Sequence, residues 1–344
     1  MSTTQTSTVT VDLELSRDPG KPAIVQAPRV DSMEAAVEWL AEHRTALRAE
    51  LSRSGALMVR GLPVDDAAAF ARVRDVMMSR RAGYKEKATP RTDFGEGVFS
   101  STDLPAVQPI RLHNENSYTL DFPGILLFGC VVAPAEGGAT TVGDMRQALR
   151  LVPPAIRDRF ARYGWLLVRN FSELAGLPWY QSFATEDPAV VEAYCQENVI
   201  GYEWLDTDTL RTRQRRSAIV THPVTGEQSW FNHFAFWNRW TLDPDVREVL
   251  LDTYGDDGLP FETYVGDGSA PTQAEVDVLN QVYDAVTVRE RWQRGDLLFV
   301  DNILSAHGRE AFRGDRKILV AMGEPVTLAE CRPATPPATS AAGA

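Results

Sequence analysis

Cysteine is scarce in this chain of 344 residues. Only Cys130, Cys195 and Cys331 are present, and they are odd in number and far apart. This spacing argues against a disulfide framework and against a Cys-X-X-Cys metal site, since both need paired or closely spaced cysteines. We therefore expect three reduced thiols that serve as ordinary core or surface residues.

Long runs of one residue class are also missing. Lys and Arg total 35 against 47 Asp and Glu, giving a net charge of -12, and no basic run would follow a phosphate backbone. No stretch reaches the roughly 20 apolar residues of a membrane span, and residues 1–11 lack the apolar centre of a signal peptide. We expect a cytoplasmic protein without nucleic-acid or membrane partners, and the sequence leaves homo-oligomer formation open.

The composition supports a globular domain, because 44% of the residues are apolar and can build a full core. Residues 1–25 show little periodicity, and residues 324–344 are dominated by Pro, Ala, Thr and Ser. We expect both ends to be flexible, with a single domain over residues 26–323.

The apolar pattern predicts a mixture of short strands and helices. A helix over residues 31–51 is expected to begin at an Asp31–Glu34 capping box and to stop at Gly55. Further helices are predicted at 65–78, 154–163, 187–196, 243–254 and 272–285, and strands at 56–59, 125–132, 165–168, 218–221, 229–232, 297–301 and 317–322. Because they do not alternate regularly, a mainly β sandwich or jelly roll with inserted helices is favoured over a parallel α/β sheet.

Histidine is limited to five residues, and two of them suggest a metal site. His113 and Glu115 lie two residues apart in a strand-like stretch, so both side chains would point to the same side of a sheet. A His-X-Glu triplet such as His113 to Glu115 is common by chance. His307 strengthens the prediction of a metal site, because it follows an apolar strand and precedes Arg316, which lies at the start of another strand. His43, in the first helix, has the neighbours of a surface imidazole.

Two imidazoles and one carboxylate favour iron over zinc. They leave three positions open on an octahedral Fe(II), enough for a bidentate 2-oxo acid and O₂. Zinc is usually closed by four ligands or left with one open position.

Seven blocks of sequence, in order between about residues 55 and 323, resemble the taurine dioxygenase (TauD/TfdA) family of Fe(II)/2-oxoglutarate-dependent oxygenases. The likeness is to its SyrP-like branch, near clavaminate synthase. The blocks are Pro90-Arg91-Thr92, Leu112 to Tyr118 (LHNENSY), Gly137 to Thr140 (GGAT), His222 to Glu227 (HPVTGE), Trp230-Phe231-Asn232, Trp292 to Asp296 (WQRGD) and Asp301 to Arg316.

The resemblance implies a double-stranded β-helix (jelly roll) core with His113, Glu115 and His307 as the ligands of Fe(II). It also implies that Arg316 and Thr140 hold the distal carboxylate of 2-oxoglutarate. A planar guanidinium suits that role because it donates two parallel hydrogen bonds to a carboxylate.

Several nearby residues have competing interpretations. Arg309 is a rival for the 2-oxoglutarate carboxylates or for an anionic substrate, and Arg313 is a second rival. Asp301 and Asn302 are expected to tie the strand end through hydrogen bonds to the backbone. Two further structural roles are predicted: a tight turn at Gly137 and Gly138, and a turn at His222.

The substrate pocket is harder to predict. The aromatic residues between Trp230 and Trp237 are typical of a core, although they could wall a pocket. Asn232 stands out as a polar group among them, and a buried amide needs partners. Arg91, Asn116 and Ser117 are comparable candidates for contact with substrate.

The function implied is hydroxylation of an unactivated C–H bond in an amino acid or amino-acid-derived natural-product intermediate, with O₂ consumed and succinate and CO₂ released. Glu115 argues against halogenation, which needs a small residue at that position, whereas desaturation and cyclisation stay open.

The substrate is either free or carrier-protein-bound. A basic segment that is either a solvated loop face or a docking surface is formed by Arg211, Arg213, Arg215 and Arg216. A non-catalytic cupin-like binding protein and a metal-dependent hydrolase are the alternatives of other classes.

Overall fold

The computed structural model describes residues 13–83, 86–173 and 176–341. The α-helices there are α1 Met33–Ser54, α2 Ala67–Met77, α3 Met145–Leu151, α4 Pro154–Tyr163, α5 Trp179–Phe183, α6 Pro188–Glu197, α7 Pro244–Tyr254 and α8 Gln273–Val286. The strands are β1 Leu15–Ser16, β2 Ala23–Gln26, β3 Ala56–Arg60, β4 Phe99–Ser100, β5 Ile110–His113, β6 Asp121–Val132, β7 Glu136–Gly137, β8 Thr140–Asp144, β9 Trp165–Phe171, β10 Gly201–Trp204, β11 Leu210–Arg216, β12 Ile219–Thr221, β13 Gln228–Trp230, β14 Phe261–Val265, β15 Thr287–Val288, β16 Leu297–Asp301, β17 Ser305–Arg309, β18 Phe312–Arg313 and β19 Lys317–Thr327.

A seven-stranded sheet forms one layer, in the order β1-β2-β3-β16-β6-β19-β4. Successive side chains along each strand point to opposite faces of this sheet. The apolar side chains of one face pack on α1 and α2, and those of the other face point into the interior. Leu127 and Phe299 face the helices, whereas Phe128 and Val300 lie on the inner face. Both faces are therefore covered, which explains why these strands are almost continuously apolar.

The second layer is a four-stranded sheet in the order β15-β8-β17-β5. Val142 of β8 packs with the inner face of the first sheet, and the rings of Phe128 and His307 lie 5.2 Å apart across the gap. The other side of this layer packs on a core with residues from α3, α4 and α8. A separate four-stranded sheet, β10-β11-β9-β14, flanks this arrangement.

The helix predictions hold closely, but one cap differs. Helix α1 begins after Ser32, whose hydroxyl accepts a hydrogen bond from the Ala35 amide, and not at the predicted Asp31–Glu34 box. Ser32 has the extended backbone of an N-cap, and Glu34 falls inside the first turn. Gly55 ends the helix as predicted, in the left-handed conformation.

The predicted domain boundaries fall inside strands. Strand β2, within the range expected to be flexible, pairs with β3, and Val25 is fully buried. Strand β19 continues past residue 323, and beyond its end Cys331 and Thr335 are buried. Apolar or small residues that complete a sheet or a core hold these segments in place. The composition of the two ends does not predict this packing. Residues 1–12 and 342–344 lie outside the described part of the chain.

The three cysteines are free and buried, so the prediction of reduced thiols holds. In the described part of the chain, no helix combines the length and apolar character needed to cross a membrane.

Candidate metal centre

His113, the last residue of β5, and His307 of β17 meet Glu115, which lies in the turn that follows β5 and not in a strand as predicted. The two strands are antiparallel, and His113 is the register partner of His307. His307 Nε2 lies 3.5 Å and His113 Nε2 lies 4.0 Å from Glu115 Oε2. One ligand atom from each of the three residues lies within 4.8 Å of the other two, which is the grouping that one metal ion needs.

Both imidazoles are prepared for a metal by their surroundings. The Arg111 carbonyl can only accept, so the 2.9 Å contact with His113 Nδ1 places the proton there and leaves the Nε2 lone pair directed at Glu115. Burial lowers the pKa of His113 and places that of His307 well below its usual range. Neutral imidazoles are the form that ligates a metal, so this donor set fits Fe(II).

Asn302 holds Glu115 in place. Its side-chain oxygen accepts from the Glu115 amide at 2.7 Å, and its nitrogen donates to the Glu115 and Pro123 carbonyls at 2.9 and 2.8 Å. Asp301 accepts hydrogen bonds from the amides of the next turn. The predicted backbone-tying role of these two residues is therefore confirmed.

His222 is structural, as predicted. Its Nδ1 accepts hydrogen bonds from the amides of Val224 and Thr225, and its Nε2 then donates to Asp301 at 3.1 Å. It thereby supports the residue next to Asn302 and is not part of the metal grouping.

A cavity lies on one side of His113 and His307, and we call it the Arg316 cavity. Ser101, Thr140, Arg309 and Arg316 line it with the two histidines. Arg316 donates to the Gly138 carbonyl at 2.9 Å, to Ser101 Oγ at 3.1 Å and to Thr140 Oγ1 at 3.4 Å. Burial, with Arg309 nearby, lowers the pKa of Arg316 to about 10, so it stays cationic at neutral pH.

The two rival arginines have other partners. Arg309 lines the Arg316 cavity, but its guanidinium donates to the carbonyls of Thr102, Leu104, Pro105 and Gln108 and so ties down that loop. Arg313 is exposed at its side chain and pairs with Glu136, away from the cavity. Sequence reasoning missed Ser101, because a lone serine in a loop carries no signal of its contact with Arg316.

A second cavity, which we call the Arg91 cavity, is also lined by His113. It is lined by residues from several loops, namely Ala88, Thr89, Arg91, Thr102, Leu104, Ile110, His113, Glu115, Asn116, Tyr118, His233, Phe236 and Trp237. Phe236 packs on His113 with 4.7 Å between ring centroids, and His233 stacks on Trp237 at 4.3 Å. The aromatic segment is thus divided, since Trp230, Phe231 and Phe234 are buried in cores.

Of the four residues predicted to contact substrate, two line the Arg91 cavity and two do not. Arg91 and Asn116 line the Arg91 cavity, whereas Ser117 and Asn232 do not. Ser117 Oγ bonds His233 Nδ1 at 2.7 Å, and Asn232 bonds the Ala218 carbonyl and the Phe234 amide. Asn116 has a positive φ of 53° and accepts from the Tyr118 hydroxyl.

The basic segment at residues 211–216 is a strand and not a loop. In β11 the side chains alternate, so Arg213 points outward to Glu203. Arg216 is fully buried and donates to the Tyr118, Val199, Arg215 and Asn198 carbonyls. One of the four arginines is therefore unavailable to any docking partner.

Comparisons with known proteins agree with this geometry. The family model described as "Taurine catabolism dioxygenase TauD, TfdA family" matches residues 16–322. The dapdiamide synthesis protein DdaC of Enterobacter agglomerans is 33% identical over 312 residues, covering 89% of this chain and 94% of that protein. A clavaminate synthase-like protein of Arabidopsis thaliana is 26% identical over 321 residues, covering 88% and 93%.

The fold is also that of known structures. A taurine dioxygenase from Burkholderia xenovorans superposes with a TM-score of 0.53 at 15% identity, over 92% of this chain and 91% of that one. The mainly β, jelly-roll fold predicted from the sequence is thereby confirmed. The chain belongs to the TauD, TfdA family and is an Fe(II)- and 2-oxoglutarate-dependent oxygenase.

Proposed function

We propose that this enzyme hydroxylates an unactivated C–H bond in an amino acid or a compound derived from one. The observation that carries the proposal is the complete grouping of His113, Glu115 and His307, in which the carboxylate position is filled. A site for halide on the metal needs that position to be empty. Bound Fe(II), with 2-oxoglutarate and O₂, supplies the oxidising chemistry, and 2-oxoglutarate leaves as succinate and CO₂.

The residues of the Arg316 cavity bind the cosubstrate. Arg316 is a half-buried cation whose guanidinium is already oriented by Ser101, Thr140 and Gly138. We assign it the distal carboxylate of 2-oxoglutarate, with the Thr140 hydroxyl as second donor. Arg309 contributes by holding the loop at residues 102–108, which forms part of both cavities.

The Arg91 cavity receives the substrate. Phe236 and Trp237, together with Leu104 and Ile110, form an apolar wall beside His113. Such a wall orients a carbon chain next to the metal and keeps water away from the reacting C–H bond. The relative DdaC is named for dapdiamide synthesis, which supports an amino-acid-related substrate from natural-product biosynthesis.

The test is oxidation of a panel of free and carrier-loaded amino acids. Enzyme loaded anaerobically with Fe(II) and 2-oxoglutarate should release succinate faster on O₂ addition when the right substrate is present. A product heavier by one oxygen marks hydroxylation, whereas loss of two hydrogens marks desaturation or cyclisation and contradicts the proposed reaction.

Two controls make the result specific to the metal site. Glu115→Ala should abolish succinate release, and Glu136→Ala, at an exposed surface carboxylate, should leave it unchanged. Succinate release without Fe(II), undiminished release in His113→Ala, or turnover in the absence of O₂ would each contradict the proposal.

A further inference from the structure

Arg91 occupies a distinctive place in the molecule. Its side chain is 6% exposed, and its Nη2 lies 3.0 and 3.1 Å from the two carboxylate oxygens of Glu115. It also lines a surface groove with Lys87, Asp93 and Gln181, so one guanidinium borders both this outer groove and the Arg91 cavity. Thr89 and Arg91 line both spaces, so Arg91 stands between the outer groove and Glu115.

A backbone hairpin fixes this position. The Asp103 amide donates to the Pro90 carbonyl at 3.3 Å, and the Ser100 amide donates to the Thr92 carbonyl at 2.9 Å. One limb of this hairpin carries Arg91, and the other carries Ser101, which contacts Arg316. The same local structure therefore places a polar group in each of the two cavities, and it does so on ordered backbone.

The charges around the Arg91 cavity favour an anion. Among the described residues that line it, Arg91 is the one Lys or Arg, and Glu115 is the one Asp or Glu. Glu115 is a metal ligand, and a bound dication more than neutralises its charge. When 2-oxoglutarate is also bound, one of its carboxylates offsets the charge that remains on Fe(II), so the net charge left in this cavity is that of Arg91. Between apolar walls, an unpaired ammonium group of the substrate would be unfavourable there and a carboxylate favourable.

We propose that Arg91 is the specificity-determining residue of this enzyme and binds a carboxylate of the substrate in the Arg91 cavity. This inference rests on the proposed function and narrows its substrate class. The substrate carries a free carboxylate near the oxidised carbon and an apolar portion against Phe236 and Trp237. An amino group on it is either acylated or directed toward the outer groove, where Asp93 lies.

Paired probes test the proposal. N-acetyl amino acids and their carboxamides differ in the carboxylate, and free amino acids and their amides form a second set. For the best pair, the Fe(II)- and 2-oxoglutarate-loaded enzyme should bind the acid about 10- to 100-fold more tightly than the amide, the range expected for a charge-assisted arginine–carboxylate contact. Calorimetry under anaerobic conditions gives both constants, and succinate release gives kcat and KM.

Arg91→Gln should bring the acid-to-amide ratio close to one by weakening the acid alone, and Arg91→Lys should keep part of it. Lys87→Gln is the matched control, because it removes a cation of the outer groove that does not line the Arg91 cavity. The affinity for Fe(II) is measured separately for each variant, because Arg91 contacts Glu115. If Arg91→Gln no longer binds Fe(II), the acid-to-amide ratio is taken from Arg91→Lys.

The inference is overturned if the wild-type enzyme prefers no acid over its amide, or if the preference survives in both Arg91 variants. If acids and amides stimulate succinate release equally, the proposed role of Arg91 is contradicted and the proposed function of the enzyme is not. Absence of stimulation by every compound counts against the proposed function, and the inference then falls with it.

Discussion

At the scale of single residues, Arg316 and Arg313 form a natural pair for experiment. Arg316→Gln should raise the KM for 2-oxoglutarate by about 10- to 100-fold, since hydrogen bonds to charged groups contribute roughly 1.5–3 kcal/mol. Arg313→Gln should leave that KM unchanged, because Arg313 is exposed and paired with Glu136. Steady-state kinetics with saturating substrate give the comparison, and an equal effect of both variants would remove Arg316 from the cosubstrate site.

His233 makes the stability of the metal-free protein depend on pH. Burial, then the nearby His113 and Arg169, place its pKa well below 6.5 in the folded state. The unfolded chain therefore binds more protons below pH 6.5, and the free energy of unfolding should fall as the pH drops, by up to about 1.4 kcal/mol per pH unit for this group. The contribution is fully present above pH 6.5.

Denaturant titrations between pH 7.5 and pH 5 measure this slope. His113 and His307 also have lowered pKa values and add to it, whereas burial of Glu86 raises its pKa and acts in the opposite direction. His233→Gln should therefore make the slope shallower without removing it. An identical slope in the variant would show that His233 does not titrate differently on folding.

The sequence predicted some residues of the site and missed others. The grouping of His113, Glu115 and His307 was predicted because these residues lie in sequence blocks that resemble a known family, whereas the His-X-Glu triplet alone is common by chance. Ser101 was not predicted, because its role depends on loops that meet only in the folded molecule. Phe236 was included among the aromatic residues that could wall a pocket, but the sequence did not separate it from those buried in cores. Asn232 was singled out as a polar residue among aromatics, yet it bonds backbone groups as a buried amide usually does.

At the scale of elements, the turn between β7 and β8 positions Arg316. Gly138 has a φ of 70°, and an added Cβ would lie 2.8 Å from Phe312 and Pro134 and 3.2 Å from Arg316 Cδ. Gly138→Ala should therefore lower stability by about 1–2 kcal/mol and also raise the KM for 2-oxoglutarate, because the arginine must move.

Gly226→Ala is the matched control for that turn. Gly226 has a φ of 73°, but its added Cβ would contact nothing within 4 Å. It should share the loss of stability and leave the KM unchanged. A KM that rises equally in both variants would show that the effect comes from general destabilisation.

Elements with strong periodicity were predicted well, and those that build the site were not. Strand β16 and helix α4 match their predictions in full, since one is a continuous apolar run and the other starts at a proline and ends at a glycine. Strands β8 and β17 were not predicted, and of β5 only the strand-like stretch at His113 was. They are short and rich in Thr, Gly, Arg and His, and only pairing with distant strands makes them extended.

At the scale of the whole molecule, the buried thiols report on global unfolding. Burial raises the pKa of Cys130, Cys195 and Cys331 to about 12, so almost no thiolate exists at neutral pH. Ellman's reagent should react with none of them in the native protein and with all three in guanidinium chloride. Rapid reaction of one thiol under native conditions would indicate local opening around it.

During translation the ribosome delivers the iron ligands at very different times. The side-chain nitrogen of Asn114, the residue next to His113, donates a hydrogen bond to the Ser305 carbonyl, 191 positions away, and His307 lies two residues beyond Ser305. A nascent chain that has emerged only as far as Glu115 offers iron one imidazole and one carboxylate of this site, too few donors to complete it. Because strands so far apart in sequence are expected to pair late in folding, we expect iron to bind a nearly folded protein, so that the concentration of available iron affects the loading of the enzyme and not the early steps of its folding.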